Sequence, residues 1–187
     1  MGGMSHGVVG LLDQATEERV RALRRRVSEL VGEASLDALP LPHLSLVVGQ
    51  RVDEDAAGHG VRDVASTLAR TPFHAEPWTL FLAPSPTVGC AVVRSAVRTP
   101  ELDALRSAVA AAVEPSLGDI SRYTTTATWN PHVTLASQGV EPDQLGAVVD
   151  LLVEAAEEPW EGHLERVALV VEEGPRHRLA MAVELKG

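Results

Sequence analysis

Two short stretches of this chain carry side chains able to move protons near neutral pH beside a charged group. His43-Leu44-Ser45-Leu46 and His132-Val133-Thr134-Leu135 each open on histidine and place a hydroxyl two residues later. In an extended strand successive side chains alternate between faces, so His43 and Ser45 share one face while Leu44 and Leu46 share the other. The second stretch repeats the arrangement. Two residues of strand span roughly 7 Å, a spacing from which an imidazole and a hydroxyl can converge on one phosphate. An imidazole near its ordinary pKa can accept a proton while a second donates one, which is what displacement at phosphorus asks for. One histidine opening a strand is more often structural; two such patterns at matching places in similar halves make a stronger signal than a typical short motif. His6, His59, His74, His163 and His177 lack the Ser/Thr-Leu that follows the other two, and no role is assigned to them.

Elements able to position these residues can be read along the chain. Val8 to Leu12 predicts a strand; a helix follows with Val20, Leu23, Val27, Leu30 and Val31 at helical spacing up to Gly32. The run Arg24-Arg25-Arg26 on that helix reads as a solvated basic face flanked by acidic residues. After the His43 strand, Val61, Val64, Ala65 and Leu68 predict a second helix, and a strand from Trp78 to Leu82 ends at Pro84-Ser85-Pro86. The order then repeats: a strand from Val88 to Arg94, a helix with Leu102, Leu105, Val109, Ala112 and Val113, and the His132 strand. A helix with Leu145, Val148, Val149 and Leu152 follows, and Leu164–Val171 and Leu179–Leu185 close the chain as an antiparallel pair. The reading is of an internal duplication with halves of approximately 1–86 and 87–187 inside a single domain. Alternation of strands and helices by itself also permits a parallel α/β sheet.

Composition narrows the function classes. The 187 residues, 45% of them hydrophobic, suffice for a real core. No apolar run reaches the roughly 18 residues of a membrane span, and the first residues carry neither a signal-peptide pattern nor a myristoylation site, so a cytoplasmic protein with no membrane partner is expected. Cys90, the one cysteine, lies in an apolar run and reads as a small buried hydrophobe, with no disulfide or cysteine metal cluster available. The net charge of −10 argues against long nucleic acid as a partner, because broad phosphate binding needs a basic surface. Lys186 is the only lysine, which removes phosphate-loop and Schiff-base lysines from the body of the chain.

The Pro-His-Leu-Ser-Leu stretch from Pro42 and the Pro-His-Val-Thr-Leu-Ala stretch from Pro131, with the elements around each, resemble the 2H phosphoesterases. That family includes the 2′-5′ RNA ligase-like proteins and the cyclic phosphodiesterases, and the resemblance covers nearly the whole chain. It implies an α+β, bilobal fold: two antiparallel sheets with flanking helices, related by a pseudo-twofold axis, and an active-site cleft between them. By position, His43 and His132 match the family's catalytic histidines, and Ser45 and Thr134 its phosphate-binding hydroxyls. Serine replaces the commoner threonine at position 45, keeping the hydroxyl without the stiffening methyl. Ala136-Ser137 stands where many 2′-5′ RNA ligase-like relatives have Ala-Arg, removing one cationic contact and favouring a small substrate.

The activity this implies is metal-independent, cofactor-free hydrolysis of a cyclic phosphodiester, a 2′,3′-cyclic nucleotide end or an ADP-ribose cyclic phosphate. By analogy with the family, His132 is the base and His43 the acid. Tyr123 and Trp129, just before the second motif, are candidates for stacking on a base; Trp78 and Trp160 read as core. Arg94, Arg122 and Arg176 are candidates for a distal phosphate, with a solvated surface role favoured for each. The alternatives are RNA-end processing or binding, which would need a large basic patch, and a non-catalytic nucleotide-binding module. A metallohydrolase comes last, since no carboxylate beside either histidine completes a zinc set.

Overall fold

The computed structural model describes residues 6–32, 41–82, 90–155, 159–174 and 176–187. The predicted Pro84-Ser85-Pro86 turn and the boundary between the halves lie outside them. Nine strands and four α-helices are described: β1 His6–Leu12, α1 Gln14–Val31, β2 His43–Gly49, β3 Arg51–Val52, α2 Glu54–Ala65, β4 Thr71–Leu82 and β5 Cys90–Ala96. They continue with α3 Pro100–Val113, β6 Leu117–Gly118, β7 His132–Val140, α4 Leu145–Glu154, β8 Trp160–Glu173 and β9 Arg176–Glu184.

Local chemistry starts and stops the helices where the sequence marks them. The Asp13 carboxylate accepts from the Thr16 amide at 2.9 Å and caps α1, which ends at Gly32 with φ 87°, a conformation that suits glycine. Thr99 caps α3 through the Leu102 amide, with Pro100 in the first turn, where a missing N–H costs nothing. The second helix ends at Ala65, so Leu68 lies past it in the following turn, still packed on the core. β4 begins at Thr71, well before Trp78. Its first residues, Thr71 to Ala75, pair with β8, and Trp78 to Leu82 pair with β5, with the register break falling at Pro77. A strand carrying Pro72 and Pro77 reads poorly because proline cannot donate to a ladder.

Every pairing between the named strands is antiparallel, which excludes the parallel α/β alternative. The strand order is β1-β2-β7-β5-β4-β8-β9, with β1 also paired to β8, and β3 and β6 form a separate two-stranded sheet. The fold is α+β, as expected. Strands are exchanged between the halves: β4 of the first half pairs with β5 and β8 of the second, and β8 pairs with β1 as well as with β4 and β9. The helices follow the same exchange, with α1 lying against β7 and α3 against β2. The seven main strands therefore form one continuous antiparallel sheet that draws on both halves, with β1–β8 as an added pairing.

One main apolar core packs against this sheet. Leu44, Leu46, Val133 and Leu135 enter it from the motif strands, and meet Val20, Leu23 and Val27 of α1 and Leu105 and Val109 of α3. Each such side chain contributes about 1.5–3 kcal/mol on burial, so the inward faces of β2 and β7 are firmly fixed. Cys90 is buried as expected, and burial pushes its thiol pKa up. Trp160 is buried in the core, with Trp78 partly buried and edge-on to it at 5.4 Å.

Candidate active site

β2 and β7 lie side by side, paired through Leu44 and Val133. While Leu44, Leu46, Val133 and Leu135 are buried, His43, Ser45, His132 and Thr134 are half-buried on the opposite face. The register sets His43 across from Thr134 and Ser45 across from His132, so imidazoles and hydroxyls alternate diagonally. On the outer sides, β1 brings Leu11 beside His43 and Val9 beside Ser45, and β5 brings Ser95 beside His132 and Val93 beside Thr134. Val9, Leu11 and Ala168 form a small second apolar cluster, a dry border for the polar quartet.

The two imidazoles are oriented in the same way. His43 Nδ1–H donates to the Leu41 carbonyl at 2.7 Å, and His132 Nδ1–H donates to the Asn130 carbonyl at 2.8 Å. A carbonyl only accepts, so each contact puts the neutral ring's proton on Nδ1 and leaves Nε2 to take up or release one. Phe81 meets the His132 ring edge to face at 4.9 Å. Burial pushes the His43 pKa down to about 4, opposed by its bond to Leu41 and assisted by positive charge on Arg24, His132 and His177. Burial also lowers His132, with the Asn130 bond opposing. His43 is thus neutral at pH 7.

Two residues behind the motifs differ from their expected roles. Trp129 is 3% exposed and cannot stack on a ligand base; its indole Nε1–H donates to the Ser45 carbonyl at 2.8 Å. Arg24 is only 9% exposed, so the basic run on α1 is not uniformly solvated. Arg25 and Arg26 stay at the surface, whereas Arg24 turns inward and donates from Nε (3.1 Å) and Nη2 (2.7 Å) to the Thr134 carbonyl. Leaving a buried carbonyl unbonded costs about 1–3 kcal/mol, which accounts for a buried guanidinium spending two donors there. The sequence holds a signal for Arg24: Ala22-Leu23-Arg24-x-x-Val27 recurs as Ala104-Leu105-Arg106-x-x-Val109 on α3. Arg106 is buried as well, and donates to the Thr124 carbonyl and to Thr126 Oγ1 in the loop that carries Trp129.

The remaining candidates divide. Tyr123 is 66% exposed; Arg122 Nη2 donates to its hydroxyl at 2.6 Å, and the guanidinium carbon lies 4.8 Å from the ring centroid. The loop bearing them is tied to β2, since the Ser121 amide donates to the Val48 carbonyl and the Val48 amide to Thr124 Oγ1. Arg94 is not a phosphate ligand at the surface. It is buried between Trp78 and Trp160, 4.6 and 4.4 Å from their ring centroids, with Nε donating to the Ala75 carbonyl. The side chains of Arg176 and Ser137 lie outside the described residues. His6 accepts from the Glu172 amide at 3.3 Å, and His74 contacts Glu76 at 3.0 Å. His177, given no role from sequence, lies near enough to His43 to contribute to the lowering of the His43 pKa.

A concavity of about 430 Å³ lined by Asp13, His74, Thr99, Glu101, Glu161 and His163 holds neither motif, and its carboxylates would repel a phosphate. Among the described residues no group of three or more His, Cys, Asp or Glu side chains is placed to hold a metal ion. No helix among them is long and apolar enough to cross a membrane.

A family model described as the 2′-5′ RNA ligase superfamily matches residues 12–176. Among solved structures, TT0787 of Thermus thermophilus aligns with a TM-score of 0.67 at 19% identity, over 98% of this chain and 99% of that one. LigT of E. coli in complex with NADP+ aligns at 0.54 and 14% identity over all of both chains. Usb1 of Kluyveromyces marxianus aligns at 0.52 and 11% identity over 98% of each. Identities this low show a shared fold. No curated protein matches the chain significantly by sequence.

Proposed function

The chain belongs to the 2′-5′ RNA ligase superfamily of 2H phosphoesterases, and from that premise we propose that it hydrolyses a cyclic phosphodiester on a small nucleotide through His43 and His132. The observation that carries the reading is the diagonal quartet, in which both rings are held through Nδ1 by main-chain carbonyls. One Nε2 accepts the proton of an attacking water as the new oxygen–phosphorus bond forms. The other gives a proton to the sugar oxygen as its bond to phosphorus breaks. Ser45 and Thr134 donate to the non-bridging oxygens, where charge grows in the transition state. Each proton transfer contributes about 10²- to 10⁴-fold, so the pair supplies much of the acceleration without a metal.

The family-based assignment, His132 as base and His43 as acid, carries a condition. With a pKa of about 4, His43 donates at pH 7 only after an anion beside it has raised that value, and the substrate's phosphate is such an anion. The exposed Tyr123–Arg122 pair, on a loop tied to the far end of β2, is a flat, cationic surface on which a base can stack. LigT of E. coli has been solved with 3′-AMP and with ATP as well as with NADP+, which supports a small nucleotide as the ligand class. The net charge of −10 keeps long RNA second.

The test is a panel of 2′,3′-cyclic nucleotides and ADP-ribose cyclic phosphate incubated with the purified protein and followed by ³¹P NMR, with and without EDTA. Conversion of a cyclic ester to a monoester that survives EDTA is the expected result. Turnover lost to EDTA and restored by one particular divalent ion would end the two-histidine account.

A further inference from the structure

Each motif has one main-chain carbonyl held by a side chain from the other half of the chain. Arg24, on α1 in the first half, donates twice to the Thr134 carbonyl of the second motif. Trp129, from the second half, donates to the Ser45 carbonyl of the first. In both cases the acceptor belongs to the hydroxyl residue of the motif. The seam they span is thin: β2 and β7 share one pair, Leu44 and Val133, whereas β1–β2 and β5–β7 are extended ladders. That seam runs between the two histidines.

We propose that Arg24 and Trp129 are positioning residues, a reciprocal pair of braces that fixes His43 and His132 relative to one another across the β2–β7 seam. The inference rests on the two-histidine phosphoesterase reading. Neither residue needs to touch substrate, since Trp129 is buried and Arg24 directs two donors at the backbone. The residue types suit the task. A guanidinium aims two N–H groups at one oxygen, and an indole N–H donates without needing to accept. A displacement of about 1 Å between reacting groups costs on the order of 10²-fold in rate, so a seam with one ladder pair has much to gain from bracing. The duplication supports a selected arrangement: Arg106, at the position matching Arg24, holds the Thr124–Thr126 loop from which Trp129 reaches Ser45.

The two braces differ in charge, and the difference makes the inference testable. His43 is faced by Arg24 from α1, His132 from β7 and His177 from β9, while β1 presents Leu11 and α3 packs apolar residues against the far side of β2. Removing Arg24 removes a cation beside His43 and raises its pKa; removing the indole N–H changes no charge.

The variants are Trp129→Phe, which keeps a ring and loses the donor, Arg24→Met, which loses donors and charge, and Arg24→Lys, which keeps the charge. On the best cyclic phosphate, Trp129→Phe and Arg24→Met should each lower kcat about 10-fold or more while KM stays within about twofold. In ¹H–¹⁵N NMR titration His43 should move upward in Arg24→Met and stay near its wild-type value in Trp129→Phe and Arg24→Lys. Placed on His43→Ala, Trp129→Phe should cost nothing further, because a brace acts through the histidine it positions. Folded Trp129→Phe and Arg24→Met proteins with wild-type kcat would overturn the inference and leave the functional reading standing. So would a full multiplicative loss on the His43→Ala background. A wild-type protein that opens no cyclic phosphate would end the functional reading and the braces with it.

Discussion

The strands β2 and β7 carry the same pattern and the same imidazole-to-carbonyl contact, yet their surroundings differ. Behind β7, Arg24 reaches the Thr134 carbonyl directly, so a full positive charge lies within the site. Behind β2, Arg106 holds a loop instead, and the neutral Trp129 indole makes the last contact to Ser45. His43 sits between apolar Leu11 and the Arg24 charge, and its pKa falls to about 4, while His132 has Ser95 and the Phe81 edge as neighbours. Two matching strands thus hold two like groups in unlike electrostatic settings. That is the condition under which one imidazole can give a proton while the other takes one.

Removing each histidine in turn should have the largest effect. His43→Ala and His132→Ala should each lower turnover by about 10²-fold or more while circular dichroism shows the fold retained. If only one of them mattered, the symmetry of the contacts would be structural and the site one-sided. The hydroxyls should matter less: Ser45→Ala and Thr134→Ala should cost about 10-fold each in kcat, since each removes one hydrogen bond to a charged oxygen. Thr134 lies opposite His43 and Ser45 opposite His132, so unequal losses would report which imidazole works nearer the developing charge.

The charge difference can be sharpened by titration. In the free protein the His43 resonances should titrate near 4, well below the ordinary 6.5, because burial and neighbouring cations disfavour the charged ring. Saturation with 3′-AMP should raise that value, as an anion favours the protonated form. An unmoved His43 would leave His43 only the base role. The smallest effect belongs to the exposed aromatic: Tyr123→Ala should raise KM for a cyclic nucleotide a few-fold, on the order of one lost stacking contact, and leave kcat unchanged. An unchanged KM would remove Tyr123 from the ligand's path.

The motifs and most elements are legible in the sequence because they follow from short-range periodicity. Alternation places Leu44 and Leu46 inward and His43 and Ser45 outward, and helical spacing locates α1 and α3. What escapes depends on contacts far along the chain. Arg24 looks solvated within Arg24-Arg25-Arg26; the repeat in Ala104-Leu105-Arg106 marks its position, but the carbonyl it serves lies 110 residues away. Trp129 looks available for stacking until Arg106 and Thr124 fix its loop and turn the indole toward Ser45. The exchange of β4 and β8 between the halves is likewise invisible, since no local pattern says which edge a strand will join.

Whether His43 and His132 act as a unit in one displacement is read out by a double-mutant cycle. Turnover of the best cyclic phosphate would be measured for wild type, His43→Ala, His132→Ala and the double variant, each checked for folding. The double variant should be little slower than the slower single one, because losing either proton transfer already disables the step. A double variant slower by the full product of the two single losses would contradict it, as would folded single variants that keep wild-type turnover.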